Sequence, residues 1–155
     1  MIGVRTKIWQ FASVIRNAQV GADCTIASGA TIDGAKIGDR CIVSHNVLVP
    51  PGVLLQDDVF VGPNVVFCND RRPAAHKKGF DPAVFRGRWT VLVGNSVSVG
   101  SHAVVLPGVT IGHYAMVAAG AVVEKNVPEN MLLKRDGTLA AIDDEWRQWR
   151  TLLVC

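Results

Sequence analysis

The chain predicts a parallel β-helix, an all-β solenoid in which every six residues make one short strand and a turn. Three observations predict it. An aliphatic residue returns at every sixth position: Ile8, Val14, Val20, Ile26 and Ile32, then Ile37, Val43, Val49, Leu55, Val61 and Phe67, then Val93, Val99, Val105, Ile111, Val117 and Val123. Four positions after a marker stands a small or β-branched residue, among them Ala18, Cys24, Ala30, Cys41, Val47, Val97, Ala103, Ala115 and Ala121. Glycine often follows the marker, as in Val20-Gly21, Ile37-Gly38, Val61-Gly62 and Val99-Gly100. A helix needs a 3.6-residue stripe and an ordinary strand a strict period of two, and neither fits. Three hexads close one triangular coil, so residues about eighteen apart stack at about 4.8 Å. Glycine after the marker is expected at the turns, where φ becomes positive.

The elements follow in order. Residues 8–68 form the first solenoid block, 69–90 an excursion, 91–128 the second block and 129–155 a tail, all within one domain. One residue is missing between Ile32 and Ile37, which predicts a tightened corner at 32–36. Cys24 and Cys41 fall on inward positions of successive coils and read as packing residues. "FCNDRRPAAHKKGF", Phe67 to Phe80, breaks the period with basic and polar residues. From Phe67 to Val93 is one hexad plus a 20-residue excursion, so the coil resumes in phase. A loop of that length without its own structure is usually functional. After Val127-Pro128 the period is lost. Ile142, Trp146, Trp149 and Leu153 lie on a helical stripe with Asp143 or Asp144 as cap, which predicts a short C-terminal helix covering the open coil end.

Composition narrows the function classes. The chain is 49% hydrophobic but only 6% aromatic, which suits many narrow, similar packing sites. A net charge of +3 is too mild to argue for nucleic acid. The N-terminus lacks the apolar stretch of a signal peptide and no apolar run reaches membrane-spanning length. Cys24, Cys41, Cys68 and Cys155 show no CxxC or zinc-like spacing. A cytoplasmic protein with reduced thiols, bound neither to membrane nor to nucleic acid, is the expectation.

The segment "LLQDDVFVGPNVVFCNDRRP" resembles hexapeptide-repeat N-acetyltransferases that act on nucleotide-linked amino sugars. That family's D-V-F-x-G-P stretch, which leads into F-T-N-D-x-x-P, is matched by Asp58, Val59, Phe60, Gly62, Pro63, Phe67, Cys68, Asn69, Asp70 and Pro73. "VLPGVTIGHYAMVAAGAVVEKNVP" is similar to the family's later coils, and the resemblance runs from about Lys7 to Pro128. It implies a left-handed β-helix and a homotrimer with active sites in the clefts between subunits. It also implies acetyl-CoA along the later coils as acetyl donor, with no metal. A sugar amine then attacks the thioester carbonyl. That step needs an unprotonated amine, a donor for the developing oxyanion and alignment of the reactants.

The candidate residues follow. Asn69 matches the family's asparagine; its amide can accept from the attacking amine or donate to a carbonyl, and equally can start a turn through an Asx bond. His45, two residues after Val43 and expected to point outward on a flat face, is the candidate base; a surface or interface histidine is the alternative, and His113 occupies the same hexad position. Asp70, Arg71, Arg72 and His76 lie in the excursion and are candidate substrate contacts, with the two guanidinium groups suited to a diphosphate or carboxylate. Lys125 matches the family's lysine and is the candidate to face the CoA phosphates. Ala103 and Ala121 either let the pantetheine arm approach the backbone or simply fill the interior. The chain departs from the family at Ala74, at Pro50-Pro51 and in its tail, where "VPENMLLKRDGTLAAI" replaces a Gly-Asn-Pro-Ala-Arg ending.

Three rival functions bear on the same residues. A γ-type carbonic anhydrase needs a His-x4-His pair, which His45, His76, His102 and His113 do not supply. Antibiotic or small-alcohol acetyltransferases carry a catalytic histidine just after the loop asparagine, where this chain has Asp70. A non-catalytic binding or scaffold β-helix is the third.

Overall fold

A computed structural model describes residues 1–76, 89–146 and 148. Strands are numbered β1–β19 in chain order and fall into three sheets. The first holds β1 (Lys7–Ile8), β4 (Thr25–Ile26), β7 (Ile42–Val43), β10 (Phe60–Val61), β13 (Ser98–Val99), β16 (Met116–Val117), β18 (Met131–Leu133) and β19 (Leu139–Ala141). The second holds β2 (Ser13–Ile15), β5 (Thr31–Asp33), β8 (Leu48–Val49), β11 (Val66–Phe67), β14 (Val104–Val105) and β17 (Val122–Val123). The third holds β3 (Gln19–Val20), β6 (Lys36–Ile37), β9 (Val53–Leu55), β12 (Val91–Val93) and β15 (Val109–Ile111). From β1 to β17 every third strand pairs in parallel, so the chain winds as a triangular, left-handed β-helix. The first corner follows the first sheet, the second corner the second sheet, and the third corner closes the coil.

Both residue series of the repeat line the interior. The markers from Val20 to Val123 and their small partners from Ala18 to Ala121 are buried, and each buried aliphatic side chain contributes about 1.5–3 kcal/mol. Ile8 remains 40% exposed because it stands on the first coil, with no full coil beneath it. Register fixes the irregularities. Ser13 pairs with Thr31, but Gln19 pairs with Lys36, so the coil shortens by one residue at the tightened corner, where Gly34 has φ +59°. Phe60 pairs with Ile42 on one side and Ser98 on the other, so residues 70–89 are added without loss of phase.

Glycine after the marker works differently from the expectation. None of Gly21, Gly38, Gly62, Gly94, Gly100 and Gly112 has positive φ. The left-handed residue comes two positions later, at Asp23, Arg40, Asn64, Ser96, His102 and Tyr114. The marker glycines are required by crowding between coils: a Cβ on Gly100 would stand 2.5 Å from the Ala119 nitrogen, and one on Gly62 2.7 Å from that of Ser101.

The third corner carries a polar ladder. Asp39 Oδ1 accepts from the Ala22 N–H, Asp57 Oδ1 from Asp39, Asn95 Oδ1 from Asp57 and His113 Nδ1 from Asn95, at 2.7–3.0 Å. Each side chain satisfies a turn amide of the preceding coil that no strand partner reaches. Outside the ladder, bidentate Arg5–Asp23 and Arg40–Asp58 pairs alternate along the same corner. The Arg5 guanidinium holds the Asp23 carboxyl below its ordinary range, but such exposed pairs add little stability. Inside, Cys24 and Cys41 stack as expected, with the Cys41 N–H donating to Cys24 Sγ at 3.3 Å. The neighbouring Cys24 sulfur and burial push the Cys41 thiol up, so it packs as a neutral group.

The tail contains a hairpin absent from the sequence-based expectation. β18 continues the first sheet in parallel beside β16, and β19 returns antiparallel around Asp136-Gly137, with Gly137 at φ +83°. Residues 144–146 are helical, and Asp143 Oδ1 caps the Trp146 N–H at 2.8 Å. Trp149 and Leu153 lie outside the described residues.

The ladder makes a specific demand at residue 95. Asn95→Ala strands the Asp57 amide and is expected to cost about 1–2 kcal/mol in chemical denaturation, whereas Asn95→Asp keeps an acceptor and should cost less than half of that. Equal losses in the two variants would show that the amide is satisfied in another way.

Candidate active site

The second corner gathers most of the candidate residues, and register explains how. Its neighbouring coils carry Pro51-Gly52 and Pro107-Gly108, with Gly52 and Gly108 at φ +87° and +93°. In the coil between them the proline position is taken by Asn69 and the glycine position by Thr90, which is 1% exposed. The Thr90 N–H donates to Gly52 O at 2.7 Å, and the Gly108 N–H to Thr90 O at 2.6 Å. The excursion therefore leaves and rejoins the solenoid within one corner. Lys125 falls on the column of Pro51, Asn69 and Pro107, two coil steps or about 10 Å beyond Asn69.

Asn69 is half-buried, and its Nδ2 donates to Pro51 O at 3.1 Å. A carbonyl can only accept, so this bond fixes which end of the amide faces the coil. Oδ1 has no hydrogen-bond donor among the described residues and is the group presented by the side chain. The Asx turn belongs to Asp70, whose Oδ1 accepts from the Arg72 N–H at 2.8 Å. Asp70 thus shapes the start of the excursion. Arg71 Nε donates to Pro107 O at 3.3 Å, while the Arg72 side chain is exposed. His76 and Lys125 are exposed. Lys77, Lys78, Arg86 and Arg88 lie outside the described residues.

Three expectations change. Ala103 and Ala121 are 0% and 1% exposed, so they are core residues and present no surface to a cofactor on the outside. His45 is exposed but stands in a turn of the first corner, not on a flat face, and its carbonyl accepts from the Asn64 N–H at 3.0 Å. It therefore does not meet Asn69 within one chain. His113 is a ladder member on the third corner, with Nδ1 occupied by the Asn95 amide. Neither the Arg71 contact with the Pro107-Gly108 turn nor the Asn69–Pro51 bond was foreseen; the shared Pro-Gly at 51–52 and 107–108 was the available signal. Among the described residues no three His, Cys, Asp or Glu side chains come together as a metal site.

Comparison with known proteins bears on the same coils. Residues 90–125 match the family described as bacterial transferase hexapeptide (six repeats), and residues 17–51 match the hexapeptide repeat of succinyl-transferase. The galactoside O-acetyltransferase of Escherichia coli K12 is 31% identical over 124 residues, 79% of this chain. The chain spans 59% of that relative's length. A variant of GDP-perosamine N-acetyltransferase from Caulobacter crescentus, solved with CoA and GDP-perosamine, superposes with a TM-score of 0.73 at 23% identity, over 90% of this chain and 58% of that one. A variant of the N-acyltransferase AntD from Bacillus cereus, solved with dTDP and coenzyme A, gives 0.77 at 14% identity, over 99% and 89%. Hexapeptide-repeat families thus match the chain on both sides of the in-phase excursion, and these solved structures share its β-helix fold.

Proposed function

We propose that the chain is an acetyl-CoA-dependent N-acetyltransferase that acetylates the amino group of a nucleotide-linked amino-deoxy sugar, working as a cytoplasmic homotrimer. The observation that carries this reading is Asn69: an amide anchored through Nδ2 at the mouth of the excursion, with Oδ1 turned to an incoming group. Oδ1 accepts a hydrogen from the acceptor amine and points its lone pair at the thioester carbonyl; the bond formed is N–C and the bond broken is C–S. Holding reactants in line in this way is worth orders of magnitude in rate. The exposed Arg72 guanidinium suits a diphosphate, and the exposed Lys125 the phosphates of CoA.

The trimer rests on the outer faces of the solenoid. Ile42 and Phe60 are neighbours on the first sheet, and Leu48, Val66 and Val122 lie on the second; all are more than 40% exposed and flank the first corner. Burying them against a second copy removes an apolar surface that a monomer would leave in water. His45 stands on this same corner. It reaches Asn69 of a neighbouring subunit only in such an assembly, and there takes the proton of the acetylated amine; otherwise water does.

The galactoside O-acetyltransferase relative favours a second reading, a sugar hydroxyl as acceptor. A hydroxyl needs a strong general base at the moment of attack, whereas a neutral amine does not. The residue after Asn69 is Asp70, whose carboxylate accepts from the Arg72 N–H, so no histidine follows the loop asparagine as a base for a hydroxyl, which is why the amine is preferred.

Two experiments test the proposal. Thiol release from acetyl-CoA is expected with at least one nucleotide-linked amino sugar and with no galactoside; absence of release with every acceptor, together with no CoA binding by calorimetry, would favour a scaffold protein. In the active pair Asn69→Ala should lower kcat about 10–100-fold. Its stability should fall by no more than about 1 kcal/mol, the net worth of the Pro51 bond; an unchanged rate removes Asn69 from the mechanism. For the assembly, Phe60→Glu combined with Val66→Glu should shift the mass in sedimentation equilibrium from trimer to monomer with the β-sheet circular dichroism kept. A persistent trimer would show that these faces are not the contact.

A further inference from the structure

We infer that Arg71 is a positioning residue, which clamps the base of the excursion onto the Pro107-Gly108 turn so that Asn69 keeps a fixed direction. This inference rests on the reading of Asn69 given above for its catalytic consequence, but not for the clamp itself.

The need for a clamp follows from the split corner. In the coils on either side, Pro51-Gly52 and Pro107-Gly108 are joined by a peptide bond, and proline fixes one φ while glycine takes the left-handed one. In the middle coil the same two positions are Asn69 and Thr90, and the chain between them makes the whole excursion. Thr90 is locked by backbone bonds to both neighbours, Gly52 below and Gly108 above. Among the described residues Asn69 has its own bond on one side, to Pro51. Cys68 is the last residue before it on the ladder, donating to Val105 O at 2.9 Å. The other side is closed two residues on, where Arg71 Nε donates to Pro107 O. Asn69 thus lies between an anchor on the coil below and an anchor on the coil above.

The seat is shaped for a guanidinium. A Cβ on Gly108 would lie 1.9 Å from Arg71 Nη2 and 2.9 Å from Cζ, so the planar group occupies the space that only glycine leaves open. Lysine would bring a round ammonium on a flexible stem to the same carbonyl without the plane that covers the turn. Arg72 has the opposite character: its backbone N–H is held by Asp70, and its side chain makes no hydrogen bond or ion pair among the described residues. The two adjacent arginines therefore divide the work, Arg71 holding the loop and Arg72 remaining for an anionic part of the substrate.

The test uses the full chain with Arg71→Ala, Arg71→Lys, Gly108→Ala, the Arg71→Ala/Gly108→Ala double variant, and Arg72→Ala. Amide hydrogen exchange is read first, because it does not depend on activity. Arg71→Ala should speed exchange in the peptide spanning 68–76 by about fivefold or more while 91–105 stays unchanged; Gly108→Ala should do the same to 68–76, and the double variant should exceed neither single by much. Kinetics follow where the wild type turns over: Arg71→Ala should lower kcat about tenfold with the acceptor KM within about twofold, Arg71→Lys should recover part of that loss, and Arg72→Ala should raise KM with kcat kept. Unchanged exchange in 68–76 for Arg71→Ala, or a rise in acceptor KM without loss of kcat, would overturn the clamp. Additive exchange effects of the two single changes would overturn the Gly108 seat, and because Gly108→Ala is strained by φ alone, Arg71→Ala decides if that variant does not fold. A wild type without thiol release would refute the enzymatic reading alone, since the exchange result stands independently.

Discussion

Every part of this molecule depends on one constraint: each coil must put its backbone in hydrogen-bond register with the coils on both sides. A parallel ladder tolerates no drift, because a one-residue slip turns every inward side chain outward. The chain meets this with a constant perimeter and departs from it only where the count can be absorbed. The deletion near Gly34 and the insertion after Asn69 both fall at the second corner, between the second sheet and the third. At a corner the strand pairs above and below are already complete, so length can change without breaking a ladder. The excursion is therefore a local addition to a rigid wall, and the residues at its two ends inherit fixed positions from that wall.

The same stacking sets the chemistry of the corners. Coils at the inter-strand spacing leave no room for Cβ atoms at the marker glycines and strand turn amides that have no sheet partner. The third corner answers with acceptors that reach back one coil, Asp39, Asp57, Asn95 and His113. At the second corner the two coils flanking the excursion answer with Pro51-Gly52 and Pro107-Gly108, and in the coil between them the turn is opened. There the satisfaction of backbone groups passes to Asn69, Thr90 and Arg71, which is how a packing requirement comes to orient side chains at the mouth of a loop.

This separation explains what was legible in the sequence. The period, the missing residue between Ile32 and Ile37 and the in-phase return at Val93 are read directly, because burial in a solenoid is written in a one-dimensional count. The hairpin at Met131–Ala141 escaped the count, since it depends on an Asp-Gly turn between two apolar runs and not on the hexad. The marker glycines were found, but their reason was misread, because crowding against the next coil is invisible along one strand. Ala103 and Ala121 show the same limit: a small residue in a hexad is inward by phase, and the phase had already placed both in the core. Asn69 stood out through the motif around it, whereas the role of Arg71 required knowing that Gly108 lies above it.

The site has a further consequence for how substrates are chosen. The solenoid supplies orientation that cannot vary: an anchored amide, a lysine two coil steps away, and apolar faces beside His45. The excursion supplies what can vary, since it leaves the wall at Asn69 and rejoins it at Thr90 within one corner. On the proposed function, an amide fixed by backbone register and a recognition segment hung from the same corner let acceptor preference change without disturbing the alignment of amine and thioester. The clamp at Gly108 is the joint between the two, and it places Arg71 with the wall and Arg72 with the loop.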